Sequence, residues 1–179
     1  MGKPPRIVFD PVTAQRIASQ MKLQRLQQPG GKVDYNFVDN RLATGAALSG
    51  PDDVKAMVDA GITHVIDCRG EFDDAPLFAQ FPQIHYLYNG TNDDGQPKSV
   101  EWFQKSIEFA LQALSLPNTK VYAHCAAGSN RGPSTAYSIL RAQGLDGVTS
   151  MNMIKLVRPQ AAVRYAPDAD SAIKQLGYE

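Results

Sequence analysis

The chain has 179 residues, 43% of them hydrophobic, enough to bury one substantial core and too few to promise two. Lys plus Arg and Asp plus Glu number 18 each, so net charge gives no argument for a nucleic acid, a membrane surface or any strongly charged partner. Two cysteines, Cys68 and Cys125, exclude a disulfide scaffold and a cysteine-rich zinc site.

Residues 1–32 carry Lys3, Arg6, Arg16, Lys22, Arg25 and Lys32 against Asp10 alone. Val12, Ile17, Leu23 and Leu26 among Gln, Arg and Lys predict an imperfectly amphipathic basic helix from Pro11 to Gln28, an N-terminal extension to a main domain of residues 33–179. No run approaches the roughly 18 apolar residues that span a bilayer, and the N-terminus lacks the apolar stretch of a signal peptide. The expectation is a cytoplasmic protein with no membrane partner. "YNFVDNRLATG" (35–45) predicts two short strands around an Asp39-Asn40 turn. "SGPDDVKAMVDAG" predicts a helix, with Pro51 near its start, acids in its first turn and Gly61 as its stop.

"THVIDC" and "IHYLY" (84–88) read as buried strands. Between them, "RGEFDD" reads as a solvated loop, with Arg69 a candidate for the rim of a pocket. After the polar loop "NGTNDDGQPK", Val100, Phe103, Ile107, Leu111 and Leu114 share one face of a helix that starts at Ser99 and is ended by Pro117. "KVYAHC" is another strand, and helices follow over 132–143, 148–157 and 168–176. Helices alternating with short buried strands predict an α/β chain: a single three-layer domain whose central, mixed or mostly parallel sheet is flanked by helices.

The stretch "VYAHCAAGSNRGPS" (121–134) carries the chemistry. A Cys and an Arg six positions apart mean little by themselves; adding the Gly three places after the Cys and the His before it lowers the chance coincidence to on the order of one in ten thousand. Such a loop makes an anion cradle. The N–H groups of Ala126, Ala127, Gly128, Ser129, Asn130 and Arg131, backed by a helix N-terminus, can surround the oxygens of a phosphate, and Arg131 adds a planar pair of donors. The same positive surroundings stabilise a thiolate at Cys125 that can attack phosphorus.

"HCAAGSNR" resembles the His-Cys-x5-Arg loop of the cysteine-dependent protein tyrosine phosphatases, most closely their compact dual-specificity branch. The likeness runs from about Tyr35 to Leu176, through "NRLATG", "VKAMVDAGITHVID" and "LVRPQ". It implies a dual-specificity phosphatase-like fold and hydrolysis of a phosphomonoester in two steps, without metal or cofactor: Cys125 takes the phosphoryl group, and water then hydrolyses the phosphocysteine. Phosphorylated proteins or small phosphoesters are the implied substrates. His124 would orient the loop and help keep the thiolate. The family's general acid is an Asp in a loop about 30 residues before the Cys. Asp93 and Asp94 both fit, and anchoring on the helix "VEWFQKSIEFA" favours Asp93.

Two positions depart from the pattern. The residue after the loop arginine is usually Ser or Thr, whose hydroxyl assists the second step; here it is Gly132, so Ser129 or a water would have to substitute, or the second step is slow. Ser134 and Thr135 lie further along the helix. No Lys, Arg or His lies between Cys125 and Arg131, which disfavours a phosphoinositide substrate. The Asn-Arg ending also resembles RNA 5′-triphosphatase relatives, so a polynucleotide 5′-phosphatase with its basic helix on a nucleic acid is an alternative, as is a phosphate-reading module without turnover. The lipid-phosphatase branch has a cysteine matching Cys68, which implies a redox partner able to form a reversible disulfide with Cys125.

Overall fold

The computed structural model describes Val12, Gln15 and residues 33–179. The predicted N-terminal basic helix therefore lies outside the described residues, apart from Val12 and Gln15, which are helical. In chain order the elements are β1 (Tyr35–Phe37), β2 (Leu42–Gly45), α1 (Pro51–Asp59), β3 (His64–Arg69), α2 (Ala75–Phe78), β4 (His85–Thr91), α3 (Val100–Leu114), β5 (Val121–His124), α4 (Arg131–Ala142), α5 (Gly147–Val157) and α6 (Ala166–Leu176). The five strands form one sheet in the order β1-β2-β5-β3-β4. Only β1 runs antiparallel to its neighbour; β2, β5, β3 and β4 are parallel.

Side-chain alternation along the short strands creates the three layers. Leu42, Ile66, Val121 and Ala123 face α3, α4, α5 and α6, whose Phe103, Ile107, Ile139, Leu140 and Ile173 complete one core. Ala43, Val65 and Tyr122 face the other way, onto Val54 and Met57 of α1 and Phe78 of α2. The β1–β2 turn is closed by the Asp39 carboxylate, which accepts from the amides of Arg41 and Leu42 at 2.7 and 2.6 Å. Ser99 caps α3 by accepting from the Trp102 amide, as its place in the sequence predicts.

Within "RGEFDD", residues 70–73 form the exposed loop expected from the sequence, but Arg69, the last residue of β3, and Asp74 are 7% and 3% exposed, and the short helix α2 follows from Ala75. Arg69 does not line an open rim; its guanidinium bonds inward to Asp67 and lies 2.6 Å from Asp74. Ionic side chains that satisfy one another under the sheet edge read, residue by residue, like a solvated stretch. Because the four parallel strands end on one edge, the segments after β2, β3, β4 and β5 gather there, where open α/β sheets place their ligands.

Candidate active site

The loop from Cys125 to Asn130 leaves β5 and enters α4, and its orientation follows from where its carbonyls go. The Ala126 carbonyl accepts from the Ala47 amide at 3.0 Å, and the Ser129 carbonyl accepts from the Ala162 amide at 2.7 Å. Between them, the Ala127 and Gly128 carbonyls accept from the guanidinium of Arg158, at 3.1 Å from Nη2 and 2.5 Å from Nε. A trans peptide points its N–H opposite to its C=O. The amides of Ala127, Gly128, Ser129 and Asn130 are therefore turned away from that outer ring of partners, towards the concave side of the loop. Among the described residues none of the four donates to a protein group.

Gly128 is needed at the tightest point. Its φ is +66°, and a Cβ there would lie 2.7 Å from the Ala46 amide nitrogen and 2.5 Å from Arg158 Nη2. Arg158 itself is 1% exposed, and its other bonds run to Asp34 and to Asn36 Oδ1. One buried side chain thus fastens β1 to the loop.

Arg131, the first residue of α4, is 5% exposed. Nη1 donates to Glu71 Oε2 at 2.6 Å and to the Thr91 carbonyl at 2.9 Å, and Nη2 donates to Glu71 Oε1 at 2.8 Å. Three of the five guanidinium hydrogens are thereby used. The remaining two are on Nε, which has no hydrogen-bond partner among the described residues, and on the side of Nη2 next to it: one parallel edge suited to two oxygens of an anion. Glu71, half exposed on the segment after β3, holds the guanidinium by its far edge. The hydrogen bond from Arg131 is the largest influence on the Glu71 carboxyl and brings it down to about 2. A depressed carboxylate contributes its stability above its ordinary range near 4.5 and loses it as pH falls towards 2. The clamp therefore holds at neutral pH.

The segment after β4 closes over the loop. Asp93 Oδ1 accepts from Asn130 Nδ2 at 2.7 Å and from the Tyr165 hydroxyl at 3.0 Å, while Oδ2 lies 4.0 Å from Arg131 Nε. Asp94 faces elsewhere. Lys98 Nζ and the Gln96 amide donate to it, and the lysine first of all holds its carboxyl below the usual range. The same Lys98 ammonium donates to the Asn92 carbonyl and stands 4.8 Å from the Tyr165 ring centre.

His124 is fully buried beneath the loop. Its Nδ1 lies 3.3 Å from the Cys125 carbonyl, a bond that needs the Nδ1–H tautomer. Burial outweighs the pull of Asp67 and pushes the ring below its ordinary value, so it is neutral at pH 7. Asp67, Asp74 and His124 offer three buried ligand atoms within 4.8 Å of one another, the one arrangement of metal-ligand type among the described residues. Arg69 already supplies the compensating cation between both carboxylates, so the set fits a structural ion-pair network better than a metal.

No protein-family model matches the sequence. Solved structures do. PTPMT1 in complex with PI(5)P superposes at a TM-score of 0.67 with 17% identity, over 79% of this chain and 98% of that one. Human DUSP28 gives 0.65 and 19%, over 78% and 96%, and human tyrosine phosphatase-like serine/threonine/tyrosine-interacting protein gives 0.66 and 17%, over 81% and 99%. The fold is that of the cysteine-dependent phosphatases.

Within this phosphatase fold the β3–β5 register ends with Asp67 opposite His124, one residue before each cysteine, and both cysteines belong to the same core. Both are free thiols. Cys68 Sγ lies 3.4 Å from Thr135 Oγ1, and burial pushes the Cys68 thiol far up. Ser134 Oγ accepts from the Tyr165 amide at 3.3 Å and directs its own hydrogen to Asn130 Oδ1 at 3.5 Å. Neither α4 hydroxyl is free to stand in for the one that Gly132 lacks.

The structure thus brings Cys125, Arg131, Asp93, His124, Asn130 and the loop amides together, and leaves Asp94 on the outside. Sequence reasoning missed Glu71, Arg158, Tyr165 and Lys98. Arg158 lay in the quoted "LVRPQ", and an arginine before a Pro-containing turn was the one available signal; nothing local distinguishes Glu71 from its acidic neighbours.

Proposed function

We propose that this chain hydrolyses phosphomonoesters through a phosphocysteine intermediate, without a metal, and that phosphorylated protein side chains are its substrates. The observation that carries the reading is the set of four inward-turned amides beside Cys125, faced by the unused Nε–Nη2 edge of Arg131. These donors bind three non-bridging oxygens and stabilise them as charge redistributes in the transition state. Cys125 Sγ attacks phosphorus as the ester P–O bond breaks, and Asp93 gives its proton to the leaving oxygen. Asp93, now ionised, then takes a proton from the water that attacks the phosphocysteine. The exposed loop residues Ala126 and Ala127 add no cation for a polyphosphorylated ring. Exposed Phe72, next to Glu71, offers an apolar surface for a peptide or aryl group.

The test is para-nitrophenyl phosphate turnover in chelator. Asp93→Asn is expected to reduce kcat by about 10²-fold or more for a poor leaving group such as an alkyl phosphate, and less for nitrophenolate. Asp94→Asn is expected to stay within about twofold, because its carboxylate serves Lys98 at the surface. Reversal of that order would assign the acid to Asp94.

Cys68 is proposed as the redox partner of Cys125. Peroxide oxidises the Cys125 thiolate to a sulfenic acid, and attack by Cys68 sulfur then forms the disulfide with loss of water. Peptide mapping after mild peroxide treatment is expected to recover a Cys68–Cys125 cross-linked pair. Recovery of sulfinic Cys125 with free Cys68 is the opposite result.

A further inference from the structure

Thr44 lies on β2, paired with Ala123 of β5, one position before the Gly45–His124 pair. It is 0% exposed, and its hydroxyl has no hydrogen-bond partner among the described residues. A buried hydroxyl left unpaired is costly, and a fold that keeps one has a use for it or an acceptor that arrives later. Its surroundings indicate which. A Cβ built on Gly132 would lie 3.1 Å from Thr44 Oγ1, 3.1 Å from the Cys125 amide nitrogen and 3.1 Å from the Ala123 carbonyl. The Thr44 hydroxyl therefore reaches from the neighbouring strand towards the space where a side chain at position 132 would begin, next to the nucleophile's backbone. Glycine at 132 leaves that space to it.

We infer that the Thr44 hydroxyl is the hydrogen-bond donor to Cys125 Sγ when the sulfur is negatively charged, and that it assists breakdown of the phosphocysteine. The inference rests on the phosphatase reading above. In the second step water oxygen attacks phosphorus, the P–S bond breaks with its electron pair remaining on sulfur, and the water proton passes to Asp93. A hydroxyl beside the departing sulfur stabilises the charge that forms there. In the phosphocysteine the sulfur is uncharged and a weak acceptor, so the bond strengthens as the P–S bond breaks, which is what accelerates that step. Ser134 and Thr135 do not compete, since the Ser134 hydroxyl lies between the Tyr165 amide and Asn130 Oδ1 and that of Thr135 lies against Cys68 Sγ.

Rapid-quench kinetics with para-nitrophenyl phosphate separate the two steps. In Thr44→Val, which keeps the shape and removes the donor, the nitrophenolate burst is expected to keep its rate within about twofold. Breakdown of the phosphoenzyme is expected to slow about tenfold or more. Both kcat and KM then fall together while kcat/KM is preserved. Thr44→Ser should restore breakdown. The valine variant should melt no lower than the wild type, because the hydroxyl it removes has no partner; should valine not pack, Thr44→Ala reports the same rates. Unchanged breakdown in the variants overturns the inference alone, as does equal slowing of both steps without rescue by serine. Absence of any phosphoenzyme in the wild type overturns the phosphatase reading, and this inference with it.

Discussion

Cys125→Ser is expected to lower metal-free turnover of para-nitrophenyl phosphate by at least about 10⁴-fold while the protein melts as before. Serine is nearly the same size, and at 3% exposure the side chain sits where bulk, not only chemistry, matters. What changes is the nucleophile. A serine hydroxyl is hardly ionised at neutral pH, and His124 is in no position to act as its base: its Nδ1 is taken by the Cys125 carbonyl and its Nε2 faces Asp67 and Asp74, 3.9 and 3.7 Å away. Anion binding should survive, because it depends on the amides of residues 127–130 and on Arg131. Calorimetric titration with a phosphopeptide is therefore expected to show binding by Cys125→Ser at wild-type strength or better. Retained turnover would show that the sulfur is not the nucleophile; turnover absent from both proteins, with binding in both, would favour a phosphate-reading module.

Arg158→Met is expected to be the most destabilising single change near the site, at about 3 kcal/mol. The guanidinium is almost wholly buried, and its loss strands the carbonyls of Ala127 and Gly128 and the amide oxygen of Asn36. Its pairing with Asp34 counts for less, since that carboxylate is half exposed. For a chain of this size a loss of that order lowers Tm by about 10 °C. Activity should fall further than stability explains, because peptides 127–128 and 128–129 lose the contacts that turn their amides inward. Scanning calorimetry beside kcat at a temperature where the variant is folded checks both. Wild-type activity in the folded variant would mean that the loop holds its shape without Arg158.

Most of the fold was legible in local pattern. The strands around Asp39-Asn40, the helix opened by Pro51 and the one capped by Ser99 all stand where turn residues, caps and periodicity placed them. The loop was legible because its chemistry is contiguous: Cys125, Gly128 and Arg131 lie within one strand–turn–helix unit. What escaped is non-local. Glu71 meets Arg131 across 60 positions, and Arg158 meets Asp34 across 124; no spacing rule connects such pairs. Only the two ends of "RGEFDD" misled: Arg69 and Asp74 neutralise each other in the interior, and such a pair has the same composition as a solvated turn. Spacing from the following helix favoured Asp93 over Asp94 only weakly, and the tertiary partners, Asn130 and Tyr165 for one and Lys98 for the other, separate them clearly.

A crystal structure with vanadate tests the central claim most directly. The account predicts vanadium within bonding distance of Cys125 Sγ, oxygens accepting from the amides of residues 127–130, and two further bonds from Nε and Nη2 of Arg131 while Glu71 keeps its grip on the far edge. Vanadate bound elsewhere, or in the loop with its amides turned outward and Arg131 unengaged, would contradict it.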